Sequence, residues 1–245
     1  MKKLLRKIWI PIYLKNMGRS LIDPKKYYGY CHYFLHHLGP KWLLEHRLFF
    51  QKELRSYGED SFNSFWYHLI LENKPKCFLE IGVYRGQIIS LIELMSMKLD
   101  LGIDVHGLSP LSNEGDKVSE YIPMDYEKDI ELNYAEFKLV KPQIKKAFSD
   151  AKEGVDFIAS RQWDCVYIDG NHDYEVVKKD YENVKKNLHP NGVIVFDDAS
   201  LNLSVTQYYG VFKGHPGPSK LVDELVTKEM IEISRVGHLR AFKFM

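Results

Sequence analysis

Three observations place this 245-residue chain in the α/β class, as a doubly wound, mostly parallel sheet. From Lys76 onward, short apolar runs ending in glycine or acid alternate with helical stretches, the pattern of β-α-β units. The run Phe78-Leu79-Glu80-Ile81-Gly82-Val83-Tyr84-Arg85-Gly86 reads as a strand, a glycine turn and the start of a helix. Near the end, Met230–Val236 and Leu239–Phe244 flank Gly237-His238, a hairpin that gives the sheet a terminal antiparallel pair.

The elements follow in order. Residues 1–16 (MKKLLRKIWIPIYLKN) mix cations with apolar and aromatic side chains. Arg6, Lys7 and Pro11 interrupt any signal-peptide core, and no run reaches the roughly 20 apolar residues of a spanning helix. This tail reads either as a docking or disordered segment or as a weak anchor on anionic lipid, with Trp9, Ile10 and Tyr13 flanked by cations. Residues 24–73 are aromatic-rich and helical in pattern, with Trp42, Leu43, Leu44, Leu48 and Phe49 on one face. Residues 1–73 are therefore expected to form a helical extension, a lid or brace, on a main domain of residues 74–245. In that domain, strands are expected over 77–83, 105–108, 144–148, 165–168 and 193–196. Helices are expected over 87–97, 127–139, 151–159 and 174–188. The last helix stops at His189-Pro190-Asn191-Gly192. With the hairpin, the sheet has seven strands.

Composition narrows the function. Hydrophobic residues make up 45% of the chain, enough for a substantial core. Thirty-four basic residues against 33 acidic ones give a formal charge of +1, which argues against a broad nucleic-acid footprint. Cys31, Cys77 and Cys165 share no metal-ligand spacing and read as reduced, buried thiols of a cytoplasmic protein. Contact with the inner face of the membrane is expected only through residues 1–16. His32 and His36 are four apart, yet no acidic motif accompanies them, so they read as surface or satisfied histidines.

Two groups of residues carry chemistry. In the glycine turn, Gly82 lets the backbone turn and approach a ligand, and Gly86 opens a helix whose free amides favour polar or anionic groups. A valine at Gly82 is expected to block that approach while leaving the fold largely intact. The turn is neither a GxGxxG fingerprint nor a Walker loop. A purely structural turn also fits it. The second group is the stronger signal. Asp169-Gly170-Asn171-His172 ends one strand and Asp197-Asp198 ends the next, and ligands of such sheets sit beyond those strand ends. Carboxylates gathered there repel, so one must take a proton or a cation must bind, and an all-oxygen set favours Mg²⁺, Mn²⁺ or Ca²⁺. The acids also suit helix capping, and that alternative stays open.

In this order the motifs resemble those of class I S-adenosylmethionine-dependent methyltransferases, Rossmann-like enzymes, over residues from about His46 onward. The closest subset is the metal-dependent sugar O-methyltransferase-like family of antibiotic and polysaccharide gene clusters. The resemblance implies that Glu80, Gly82, Tyr84, Gly86, Ser109, Ser149 and Asp169 border S-adenosylmethionine. It implies that Asp169, Asp197 and Asp198 hold Mg²⁺ or Mn²⁺, and that His172 is the general base. Ser109 stands where the family carries a ribose-binding acid, and a hydroxyl bonds a ribose without charge assistance. Glu114 or Asp116 in the following loop can substitute. The loop from Gly214 to Ser219 can cover the acceptor. The expected activity is O-methylation of a sugar hydroxyl in a glycan or glycosylated metabolite. A catechol-type acceptor and a non-catalytic binding protein on the same fold are the alternatives. Partners are a small-molecule or glycan acceptor and no nucleic acid, and a homo-oligomer is left open.

Overall fold

The computed structural model describes residues 19–119, 121–203 and 212–245; the basic aromatic tail at 1–16 lies outside them. Its centre is a seven-stranded sheet in the order β3-β2-β1-β4-β5-β7-β6. The strands are β1 (Cys77–Ile81), β2 (Asp104–Ser109), β3 (Gln143–Lys146), β4 (Trp163–Ile168), β5 (Leu188–Phe196), β6 (Met230–Val236) and β7 (Leu239–Phe244). The first five pair in parallel, and the final hairpin adds β7 antiparallel to β5. The chain reverses its strand order between β1 and β4, and the crevice at that point is where such sheets bind ligands.

The strands read as continuous apolar runs because helices cover both faces. Alternate residues serve alternate cores. Leu79, Ile81, Val166, Ile168, Ile194 and Phe196 pack into one cluster, and Phe78, Cys165, Tyr167, Val193 and Val195 into the other. The crossover helices are α5 (Gln87–Leu99), α6 (Tyr126–Glu136), α7 (Lys152–Ala159) and α8 (Tyr174–Asn187). The expected β5 begins earlier than the sequence suggests, at Leu188. Trp163 pairs with Leu188 and Cys165 with Val193, so residues 189–192 bulge between the two pairings. Pro190 has no N–H for the ladder, which accounts for the irregularity.

The N-terminal segment forms α1 (Arg19–Ile22), α2 (Pro24–Tyr33), α3 (Lys41–Gln51) and α4 (Asp60–Asn73). A π-helical turn, Phe34–Leu38, continues α2. Every residue of α4 from Ser61 to Ile70 is buried. Trp66 explains why: its ring meets Phe78 and Tyr167 edge-on at centroid distances of 5.8 and 5.0 Å. Such edge-to-face pairs add about 0.5–1.5 kcal/mol each beyond the area they bury. Residues 27–70 thus share one apolar cluster with the sheet. All three cysteines are free; Cys31 and Cys165 are buried and Cys77 partly so. Among the described residues, no helix is long and apolar enough to cross a membrane.

Candidate active site

The glycine turn sits at the C-terminal end of β1. Gly82 adopts φ +95°, and a Cβ there would lie 2.1 Å from the carbonyl oxygen of Asp169. The Gly82 amide bonds Leu108 O at 2.9 Å, and the Asp169 amide bonds Ile81 O at 2.9 Å. The glycine is thus demanded by the meeting of β1, β2 and β4. A valine there would push those strand ends apart, which corrects the expectation that the fold would survive it. Gly86, at φ +79°, caps α5. Arg85 fixes the turn from outside: its guanidinium clasps Asp129 in a fork (2.7 and 2.8 Å) and reaches Glu53 O at 2.9 Å. Glu80 accepts the Ile89 amide at 3.1 Å from inside. Burial pushes its carboxyl up to about 8, against the pull of that amide. Tyr84 packs between Tyr57 and Tyr126, with ring centroids at 5.5 and 5.7 Å.

The rest of the expected cofactor border is spread along the same edge. The Ser109 hydroxyl donates to Val83 O and accepts from Leu111 N, both at 3.3 Å, so its bonding is taken up within its own turn. Ser149 follows β3 beside the buried Asp180, whose carboxyl burial raises to about 7. Asp116, one of the two acids expected to substitute for a ribose acid, is engaged with His172.

His172 is held on both sides. Its Nδ1 lies 2.7 Å from Asp116 Oδ2, which also accepts the His172 amide at 2.8 Å. Its Nε2 lies 2.8 Å from Asp198 Oδ2. Burial alone would favour neutral imidazole, but Asp198 and Asp116 outweigh it and raise the His172 pKa. Burial would likewise raise Asp116, yet the amides of Ser119 and His172 and the imidazole hold it at about 2. His215 packs at a tilt against His172, 4.2 Å between ring centroids, and its Nε2 is 3.7 Å from Asp198 Oδ2. These rings line a cleft of about 330 Å³ with Val118, Tyr174, Pro216 and Lys220.

Asp197 and Asp169 form a second, deeper pair. Burial and the Asp197 and Asp198 charges drive Asp169 well above the carboxylate range. Burial acts the same way on Asp197, but His238 and the Tyr167 hydroxyl (2.7 Å) hold it down. One proton therefore stays on Asp169, whose carboxyl hydrogen-bonds Asp197. His238 Nε2 lies 3.2 Å from Asp197 Oδ1 and 3.7 Å from Asp198 Oδ1, while Nδ1 meets Phe212 O at 3.1 Å. Burial opposes its charge, yet Asp197 lifts its pKa to about 9, so it is an imidazolium at neutral pH. Of the two ways expected to relieve the gathered acids, the structure shows the proton, on Asp169, and it adds a counter-charge of the protein's own in His238. Asp198 itself takes φ +53°, unusual for a residue with a Cβ. Left-handed residues of this kind cost roughly 1–3 kcal/mol and cluster at functional sites.

Sequence reasoning named the loop that carries His215 but gave that side chain no role, and it passed over His238, Tyr167 and the partnership of Asp116. For His238 a signal existed. Phe196 pairs with Arg240 in antiparallel register, and two further steps along each strand set Asp198 opposite His238. Asp116 left no such trace, because the stretch between Pro110 and Asp125 has neither strand nor helix periodicity.

Residues 79–199 match a protein-family model described as a methyltransferase domain. No curated protein matches the chain in sequence. Among solved structures, the fold is similar to an O-methyltransferase from Bacillus cereus in complex with SAH (TM-score 0.56, 15% identity, 89% of this chain and 99% of that one). It is similar to CalS11, a TDP-rhamnose 3'-O-methyltransferase of calicheamicin biosynthesis (TM-score 0.52, 10% identity, 89% and 93%). It also resembles MycE of the mycinamycin pathway, solved with Mg, SAH and mycinamycin VI (TM-score 0.51, 14% identity, 82% and 54%). The glycine turn, the acids at adjacent strand ends and the domain match agree: residues 79–199 carry a methyltransferase domain, and the chain has the Rossmann-like fold of O-methyltransferases.

Proposed function

We propose that the chain methylates a hydroxyl oxygen of a sugar, free in a nucleotide sugar or within a glycosylated small molecule. The observation that supports it best is His172, which lines the cleft, oriented by Asp116 and facing Asp198. An oriented imidazole beside a carboxylate cluster suits proton removal from a hydroxyl rather than attack by an already nucleophilic amine. The sugar reading draws on the similarity to CalS11 and MycE.

The donor set fits a hard divalent cation. Asp197 and Asp198 come together beside His238, Asp169 hydrogen-bonds Asp197, and the proton retained on Asp169 is the kind of charge such an ion would replace. When bound, S-adenosylmethionine supplies an electrophilic methyl group, and Mg²⁺ or Mn²⁺ at these acids supplies Lewis acidity that lowers the pKa of the acceptor hydroxyl. The chain does the remainder. Gly82 and Gly86 give the donor a close backbone approach, and Arg85 keeps that turn from shifting. Asp116 holds the His172 Nδ1 proton, which makes Nε2, now 2.8 Å from Asp198 Oδ2, the atom that would accept the hydroxyl proton when the ring is neutral. His238 balances Asp197 and keeps the acid cluster from expelling its own members by repulsion. Much of the rate comes from holding nucleophile and methyl donor in line at near-attack distance.

The test is transfer from labelled S-adenosylmethionine to a panel of nucleotide sugars, glycosides and catechols, before and after chelation. Transfer to a sugar hydroxyl that chelation abolishes and Mg²⁺ or Mn²⁺ restores is the expected result. Catechol-only transfer overturns the acceptor class, and an undiminished rate in thoroughly chelated enzyme removes the cation.

A further inference from the structure

The N-terminal helices carry a second, separate cluster that sequence spacing had set aside. His32 and His36 stand one turn apart on the α2 side, with ring centroids 4.6 Å apart. The acid missing from their neighbourhood in sequence is supplied from α4. Asp60 Oδ2 lies 2.7 Å from His36 Nε2 and 3.7 Å from His32 Nδ1. One ligand atom from each residue falls within 4.8 Å of the others.

From this arrangement we propose that His32, His36 and Asp60 form a transition-metal site of the zinc class that clips α2 to α4. In a tetrahedral zinc site with bonds of about 2.0–2.1 Å, neighbouring donors lie about 3.3 Å apart. The two distances to Asp60 Oδ2 bracket that value. The carboxylate is already oriented for the task. Arg47 Nε (2.9 Å) and Gln51 Nε2 (2.7 Å) both hold Oδ1, which leaves Oδ2 to the histidines. Partners behind a ligand that fix its orientation are the usual support of a metal site. Arg47 also offsets the carboxylate charge. This disfavours Mg²⁺ and Ca²⁺, which rely on charge and oxygen donors, and favours ions that bond imidazole nitrogen. A fourth position is open to solvent, since the His32 side chain is 56% exposed and that of His36 30%. The π-helical turn starts at Phe34, between the two histidines, and such insertions recur at functional positions.

Occupancy would tie the extension to the rest of the molecule near the glycine turn. The segment between α3 and α4 bonds Arg85 through Glu53 O and stacks Tyr57 against Tyr84. The proposal does not rest on the acceptor or on methyl transfer.

Calorimetric titration of the full chain with Zn²⁺, in excess Mg²⁺, tests it. Wild type is expected to bind one equivalent of zinc that the His32→Ala/His36→Ala variant loses and a His172→Ala/His215→Ala variant keeps. The single change His36→Gln, on a half-exposed side chain, is expected to lose the same equivalent. It serves as the reading if the double variant fails to fold by circular dichroism. Zinc stoichiometry in folded His36→Gln equal to wild type, or no zinc bound by wild type at all, overturns the site.

Discussion

Glu80 offers a measurement in which the structure sets both sign and size. Its carboxyl is 3% exposed, and burial lifts its pKa from 4.5 to about 8. The sign follows from proton counts. Below pH 4.5 the group is protonated in both folded and unfolded chains and contributes no pH dependence. Between pH 4.5 and 8 the unfolded chain ionises it while the folded chain keeps the proton. Stability therefore falls by about 1.4 kcal/mol per pH unit across that window and levels off above pH 8. The full loss is about 5 kcal/mol. Glu80→Gln removes it, because an amide oxygen still accepts the Ile89 N–H but never ionises. The amide N–H₂ lacks the partner that a rotating acid proton finds, so the variant is expected to be less stable by about 1–3 kcal/mol at pH 4.5. It is expected to overtake wild type as the pH rises. Urea unfolding followed by tryptophan fluorescence from pH 4.5 to 8.5 gives the difference directly, and titrating groups remote from Glu80 cancel in it. A difference between variant and wild type that stays flat over this range would refute the buried, protonated Glu80.

Three further outcomes concern the histidines and the acid that orients one of them. His238 carries a folded pKa of about 9 against 6.5 unfolded, so the stability it contributes is complete below pH 6.5 and lost as the pH rises through 9. About 3 kcal/mol of pH-dependent stability is expected to vanish over that range in wild type and to be missing from His238→Gln, as read by urea unfolding at pH 6.5 and 9.5. His172→Ala is expected to lower kcat by roughly 10²–10⁴-fold with little change in affinity for SAH. Asp116→Asn is expected to move the acid limb of the rate profile to lower pH, because removing the carboxylate that raises the His172 pKa lets the imidazole stay neutral in more acidic solution. Wild-type kcat in His172→Ala would exclude the base assignment, and an unmoved acid limb in Asp116→Asn would exclude the orienting one.

The parallel core was legible in the sequence because its physics is local. A strand buried on both faces must be an apolar run, and β1, β4 and β5 end on residues of chemical interest where the runs stop. The hairpin was legible from Gly237 between two apolar strands. What stayed hidden was set by tertiary contact. Asp116 meets His172 across 56 residues, from a loop with no period to read. The His36–Asp60 contact spans 24 residues and joins two helices whose packing no spacing rule reports. Gly82 looked like a port for a ligand; only the packed strand ends reveal that it is also a structural joint. Ser109 was singled out for the acid it replaces, but its two hydrogen bonds depend on how the turn after β2 folds back on Val83.

The antiparallel edge has a consequence for assembly. The counter-charge for Asp197 resides on the turn joining β6 and β7, not on the parallel strands that bear the acids. Docking the hairpin on β5 is thus an electrostatic event as well as a hydrogen-bonding one: β7 brings a proton's worth of charge to a pocket that otherwise must find its own. The element that closes the edge is thus also the one that neutralises Asp197. A substitution at Asp197 then acts at a distance, loosening the grip of the last hairpin. A lesion in that hairpin takes the counter-charge from Asp197 and leaves the acids to neutralise themselves.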